Sequence, residues 1–119
     1  MKLLKIGIVA IPVCGTVTTL DLYKSFAVKE RDRKAAIIDN LGKTTYAQLK
    51  LKSDAISRGL KQELPVGNTT ANHVSLLCGN NSAYVQGLLG IWKSGNVAIP
   101  LCNSHPPATM DYYVTDSQV

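Results

Sequence analysis

Between residues 74 and 101 the chain passes from one short apolar stretch, through a helix-periodic segment, to another. Val74-Ser75-Leu76-Leu77-Cys78 comes first, and Gly79-Asn80-Asn81-Ser82 then supplies turn and cap chemistry. Tyr84, Val85, Leu88, Leu89 and Trp92 recur at helical spacing, which places them in the core. Lys93-Ser94-Gly95 closes that helix with a basic last turn and a glycine stop. Val97-Ala98-Ile99-Pro100-Leu101 is the second stretch. Strand, helix and strand within 28 residues define a βαβ unit, with parallel, buried strands and a right-handed crossover. The fold class is therefore α/β.

Upstream, Ala35-Ala36-Ile37-Ile38-Asp39 reads as a strand, and Asn40-Leu41-Gly42 is turn chemistry leading into a hairpin. Thr45-Tyr46-Ala47-Gln48 fits a capping box. Behind it Leu49, Ser53, Ile56 and Leu60 share one helical face, with Lys50, Asp54, Arg58 and Lys61 elsewhere. The spacing predicts a helix from Thr45 to Glu63, ended by Leu64-Pro65-Val66-Gly67, with a polar loop over 67–72. A third helix opens at Pro106-Pro107, preceded by Ser104 or His105, and carries Met110, Tyr113 and Val114 on one side. No strand follows it, yet parallel sheets usually have more than two strands and both faces covered. The pattern predicts a domain cut before its sheet is complete.

At 119 residues the chain is long enough for one small domain. Its charge is uneven. Residues 1–61 hold 12 of the 13 basic residues and 5 acidic ones, whereas residues 62–119 hold Lys93 against Glu63, Asp111 and Asp116. The densest run, Lys29, Arg31, Arg33 and Lys34, is broken by Glu30 and Asp32 and reads as a solvated connector. It lacks the clean stripe, stacking aromatics or reading helix of a nucleic-acid face, so no nucleic-acid partner is expected. No apolar run reaches the ~20 residues of a membrane span. Three cysteines, Cys14, Cys78 and Cys102, are too few and too scattered for a disulfide scaffold.

Residues 1–20 form a separate N-terminal segment. Lys2 and Lys5 precede an apolar centre at 6–13, the outline of a secretory signal, but without an A-x-A-type cleavage site. A mitochondrial transit peptide would carry Arg and Ser, and this segment has neither. A docking strand or helix is the third reading, and the residues leave all three open. Asn68-Thr69-Thr70 and Asn80-Asn81-Ser82 fit the glycosylation sequon, which matters only in a secreted chain.

No catalytic constellation is complete in the sequence. Cys102-x-x-His105 has metal-like spacing, but one Cys and one His fall below the four ligands of a structural zinc site, and adding Cys14, Cys78 or His73 requires a fold the sequence does not support. Cys78 and Cys102, in or beside apolar strands, read as small hydrophobes. No glycine-rich phosphate motif occurs, and Gly79-Asn80-Asn81-Ser82 is explained by capping. Asp39 and Asp111 have no identifiable partner. The residues thus assign no catalytic, cofactor-binding or metal position.

Two motifs nevertheless carry a resemblance. Thr44-Thr45-Tyr46-Ala47-Gln48-Leu49 resembles the first core motif of adenylate-forming (AMP-binding) enzymes, roughly L-T-Y-x-E-L. The run Gly90-Ile91-Trp92-Lys93-Ser94-Gly95-Asn96-Val97-Ala98-Ile99-Pro100-Leu101 resembles the second, roughly L-K-A-G-x-A-x-V-P-L. Ala36-Ile37-Ile38-Asp39 and the spacing between motifs also fit. Within the superfamily, His105-Pro106 and the run from Asp111 to Gln118 look most like acyl-CoA synthetases of the malonyl-CoA synthetase type. Gln48 and Ser94 depart mildly from the usual Glu and Ala.

The resemblance implies an incomplete N-terminal part of an adenylate-forming domain over residues 21–119, truncated at its C-terminal end, with a hairpin-helix, a parallel βαβ unit and a further helix. It implies a parent acid–CoA ligase of fatty-acid metabolism. That parent converts a carboxylate, malonate or a fatty acid, to an acyl-adenylate and then to a thioester, using ATP, Mg and CoA. The matching residues are scaffold. The phosphate loop ending in Pro-Lys-Gly, the downstream acidic nucleotide motifs and the C-terminal lysine domain have no counterpart, so no cofactor and no activity are expected of these residues alone. Their expected partner is the remainder of the same domain, and the location is mitochondrial or cytoplasmic unless the secretory outline is real. A free-standing, non-catalytic interaction module built on this fold is the alternative.

Overall fold

The computed structural model describes residues 33–64 and 71–119. The N-terminal segment, the charged run up to Asp32 and the Asn68 sequon lie outside the described residues. Two strands open the described chain, β1 at Ala35–Asp39 and β2 at Gly42–Thr45, paired antiparallel. The turn between them is set by Asp39, whose Oδ1 accepts from the Leu41 amide at 2.9 Å. Gly42 follows at φ +132°, a conformation that disfavours a side chain. The register slips between Ala35 and Ile37, so one residue of β1 is extra to the ladder and the strand bends there.

Helix α1 spans Tyr46–Glu63 and begins where the capping box predicts. The Gln48 amide donates to Thr45 Oγ1 at 3.2 Å, and the Thr45 amide donates back to Gln48 Oε1 at 2.9 Å. Leu49 and Ser53 are buried as the helical spacing requires, with Ile56 and Leu60 half-buried. Ser57 is buried as well, a position the apolar pattern did not mark. Ser53 has lost all solvent, and its hydroxyl donates to the Leu49 carbonyl at 2.7 Å, so a small polar side chain is satisfied inside its own helix.

The βαβ unit forms as the pattern requires. Strand β3 (His73–Leu77), helix α2 (Ser82–Lys93) and strand β4 (Val97–Leu101) follow in order, and β3 and β4 pair in parallel. The helix ends at Ser94, and Gly95 takes φ +85°. The expectation of buried strands is corrected. Both are half-buried, and Leu77 is 53% exposed, because among the described residues the parallel sheet has two strands and α2 packs against it. Helix α3, Pro107–Asp116, has Pro106 as its N-cap and no side-chain cap. Met110 and Val114 are half-buried, whereas Tyr113 is exposed.

The core gathers Ile37, Leu49, Val85 and Leu89, with Ala36, Tyr84 and Trp92 packed against it. It joins the hairpin to the βαβ unit through α1 against α2. The two helices come close at Gly90, where an added Cβ would lie 2.5 Å from Ile56 Cγ2 and 3.2 Å from the Ser53 carbonyl oxygen. Gly87 faces Leu76 of β3 in a similar way, at 2.7 Å from Cδ1. Lys93 and Asp54 pair across the same helix interface, and Lys50 adds a second contact to Asp54 at 3.3 Å.

Gly90→Ala is expected to cost about 1–3 kcal/mol, because the methyl meets a branched carbon and a backbone oxygen that cannot both retreat. Gly87→Ala should cost less, since the tip of Leu76 can rotate away. Urea unfolding midpoints of the two variants check the ranking. Thr45→Ala should cost about 1 kcal/mol by opening the capping box, read by the same measurement.

Candidate functional site

In open α/β sheets ligands bind outside the carboxyl ends of parallel strands. Here β3 leaves through residues 78–81 into α2, and β4 leaves through residues 102–106 into α3. The first connection presents a helix N-terminus, the place where backbone amides commonly hold an anion. Two side chains already occupy it. Asn81 accepts from the Ala83 amide at 3.0 Å, and Asp39 Oδ2 accepts from the Ser82 amide at 2.7 Å.

Asp39 thus has a partner, against the sequence reading. Its two oxygens serve two elements at once, the hairpin turn through Leu41 and the start of α2 through Ser82. The Ser82 amide chiefly holds its carboxyl below the ordinary aspartate value; desolvation opposes this, and the Leu41 amide adds to the lowering. The strand-terminal Asp before Asn40-Leu41-Gly42 was a readable turn signal. Its reach to residue 82 carried no local signal.

At the second connection, the His105 amide donates to the Cys102 carbonyl at 3.1 Å and so closes a turn. Cys102 Sγ lies 2.9 Å from Ser104 Oγ. The thiol is exposed, so the expectation that it packs as a small hydrophobe is corrected for Cys102, while Cys78 is half-buried. The His105 ring leans on Tyr113 with centroids 5.8 Å apart, and its buried Nδ1 has no hydrogen-bond partner among the described residues. His73 sits at the opposite end of the sheet, its Nδ1 2.5 Å from the Ser117 carbonyl oxygen. The fold therefore keeps the two histidines apart. No cluster of three or more His, Cys, Asp or Glu suited to a metal occurs among the described residues. The Ser82 and Ala83 amides at the start of α2 are thus already taken by Asp39 and Asn81 and are not open to a phosphate.

The two sequence motifs resolve into scaffold contacts. The first is the β2–α1 junction, with Leu49 in the core. In the second, Ser94 Oγ donates to the Ile91 carbonyl at 2.6 Å, and Asn96 Nδ2 donates to Ser94 Oγ at 2.7 Å. Asn96 Oδ1 in turn accepts from both the backbone and side-chain amides of Asn72 at 3.2 Å. Ser94 and Asn96 thus tie the end of α2 to the chain entering β3.

These residues are matched from 24 to 119 by the model of a single family, described as AMP-binding enzyme. The chain belongs to the AMP-binding enzyme family. It is 45% identical over 87 residues to the mitochondrial malonate–CoA ligase ACSF3 of Xenopus laevis, covering 71% of this chain and 15% of that protein. To the Homo sapiens protein of the same name it is 34% identical over the same shares. Bacitracin synthase 1 of Bacillus licheniformis is 28% identical over 98 residues, 82% of this chain and 2% of the synthase. The AMP-binding chain thus spans about 15% of the length of the malonate–CoA ligases it matches. No helix among the described residues is long and apolar enough to cross a membrane.

Replacing Asp39 by Ala should lower the unfolding midpoint, since it leaves the Leu41 and Ser82 amides without their acceptor. The depressed pKa means the carboxylate stabilises the fold fully above about pH 4 and loses that effect as pH falls through its lowered folded value. The variant should accordingly show a shallower decline in stability on acidification, read from urea melts between neutral and strongly acid pH.

Proposed function

We propose that residues 21–119 are the N-terminal part of the adenylating domain of an acid–CoA ligase, with residues 1–20 preceding it. The family match over 24–119, together with 45% identity to a protein named malonate–CoA ligase, carries this reading. The ligase activates a small carboxylic acid, malonate in the first instance, by attack of the carboxylate on the α-phosphate of ATP. Pyrophosphate leaves, and the CoA thiol then displaces AMP from the acyl-adenylate. The acyl-CoA product would serve fatty-acid metabolism, and the mitochondrial names of the relatives support a mitochondrial location. In this scheme the described residues are structural. They set the β2–α1 junction and the βαβ unit, and the nucleotide, Mg and thiol are bound by parts of the ligase outside them.

The test is pyrophosphate exchange into ATP by the native polypeptide that carries residues 24–119, purified from its source. Malonate-dependent exchange, followed by malonyl-CoA formation when CoA is added, is the expected outcome. The 119-residue chain by itself should exchange no pyrophosphate. A native polypeptide that shows no exchange with malonate or with any other carboxylic acid would overturn the ligase reading.

A further inference from the structure

The strands of the parallel sheet end in register, Leu77 opposite Leu101. One residue further along each stands a cysteine, Cys78 after β3 and Cys102 after β4, and both are free thiols. Register-matched positions within a ladder lie about 5 Å apart, and the two cysteines continue from its last pair by one residue each. That spacing falls within the ~4.4–6.8 Å of Cα separation that a disulfide bridges. Both cysteines stand one residue past the last ladder pair, Leu77 with Leu101, and the Cys102 carbonyl already closes the turn to His105. We propose that Cys78 and Cys102 form a redox-responsive dithiol whose oxidation staples the carboxyl ends of β3 and β4 together. This stands apart from the ligase reading, since it needs only the register of the sheet.

The two thiols are suited to different steps. Cys102 is exposed, and hydrogen bonding from the Ser104 side chain and backbone holds its thiol below the ordinary cysteine value. Cys78 is half-buried, and burial pushes its thiol up. The Cys102 thiolate therefore attacks first, with a low-molecular-weight disulfide such as glutathione disulfide as oxidant. Its sulfur–sulfur bond breaks, one glutathione thiolate leaves, and Cys102 carries the mixed disulfide. Cys78 then loses its proton, attacks the Cys102 sulfur and expels the second glutathione thiolate. The two protein thiols have lost two electrons and two protons, and glutathione disulfide has gained them as two thiols.

The test equilibrates the full chain with glutathione redox buffers, blocks remaining thiols by alkylation, and maps the peptides without reduction by mass spectrometry. A Cys78–Cys102 linked peptide is expected as the main oxidised product, absent from Cys78→Ser and Cys102→Ser. Its equilibrium constant against glutathione should be at least about tenfold larger in native buffer than in guanidinium chloride, because the fold and not chain proximity brings the sulfurs together. Three outcomes would overturn the proposal: a glutathione adduct on Cys102 as the end product, linkage to Cys14, or an equal constant with and without denaturant. The wild-type chain alone decides among them, so the result does not depend on either variant folding.

Discussion

The closeness of α1 and α2 governs everything else in the described fold. At Gly90 nothing larger than hydrogen fits beneath Ile56 and the Ser53 carbonyl. Ser53, its hydroxyl satisfied within its own helix, and the buried Ser57 supply small surface on α1. Side chains at such a contact decide how near two helix axes can come. The hairpin rides on α1, and the parallel sheet rides on α2. The position of one sheet relative to the other is therefore inherited from a helix interface built of glycine and serine. The core of Ile37, Leu49, Val85 and Leu89 fills the space this approach leaves.

Polar groups fix what the apolar core alone would leave free to slide. Asp39 bonds at once to its own turn and to the first turn of α2, and Asp54 meets Lys93 from the neighbouring helix. Ser94 and Asn96 perform the same service at the other end of α2. Seen this way, the family motifs mark joints. Thr45 and Gln48 define where a helix starts, and the run from Gly90 to Leu101 defines how a helix packs, ends and turns into a strand. Such residues constrain architecture strictly.

Much of this was legible because it is local. The capping box at Thr45, the glycine stop at Gly95 and the alternation of apolar runs with helical spacing are written within a few residues of where they act. The contacts that escaped were those between distant parts of the chain. Asp39 looked unpartnered because its acceptor role lies 43 residues away, and Asp54 was placed only off the apolar face of its helix, whereas Lys93 comes to it from α2. The burial of Ser57 escaped because a small polar side chain carries no hydropathy signal. Strand burial was overestimated at Leu77 since an apolar composition says nothing of how many layers cover it. Of the candidate site, the capping role of Asn81 was readable, and the occupancy of the α2 start by Asp39 was not.

The bond from Asp39 to Ser82 also bears on how the chain comes together. It closes a loop of 43 residues, and the Asp54–Lys93 pair closes one of 39. Closing a long loop is entropically costly, but the cost grows only slowly with its length. Both loops share most of their chain, so once either contact forms the second closes over a path already shortened. The hairpin–helix and the βαβ unit can each organise from neighbouring residues. Their union brings both contacts together, so that two distant carboxylates mark the same docking of the hairpin–helix on the βαβ unit.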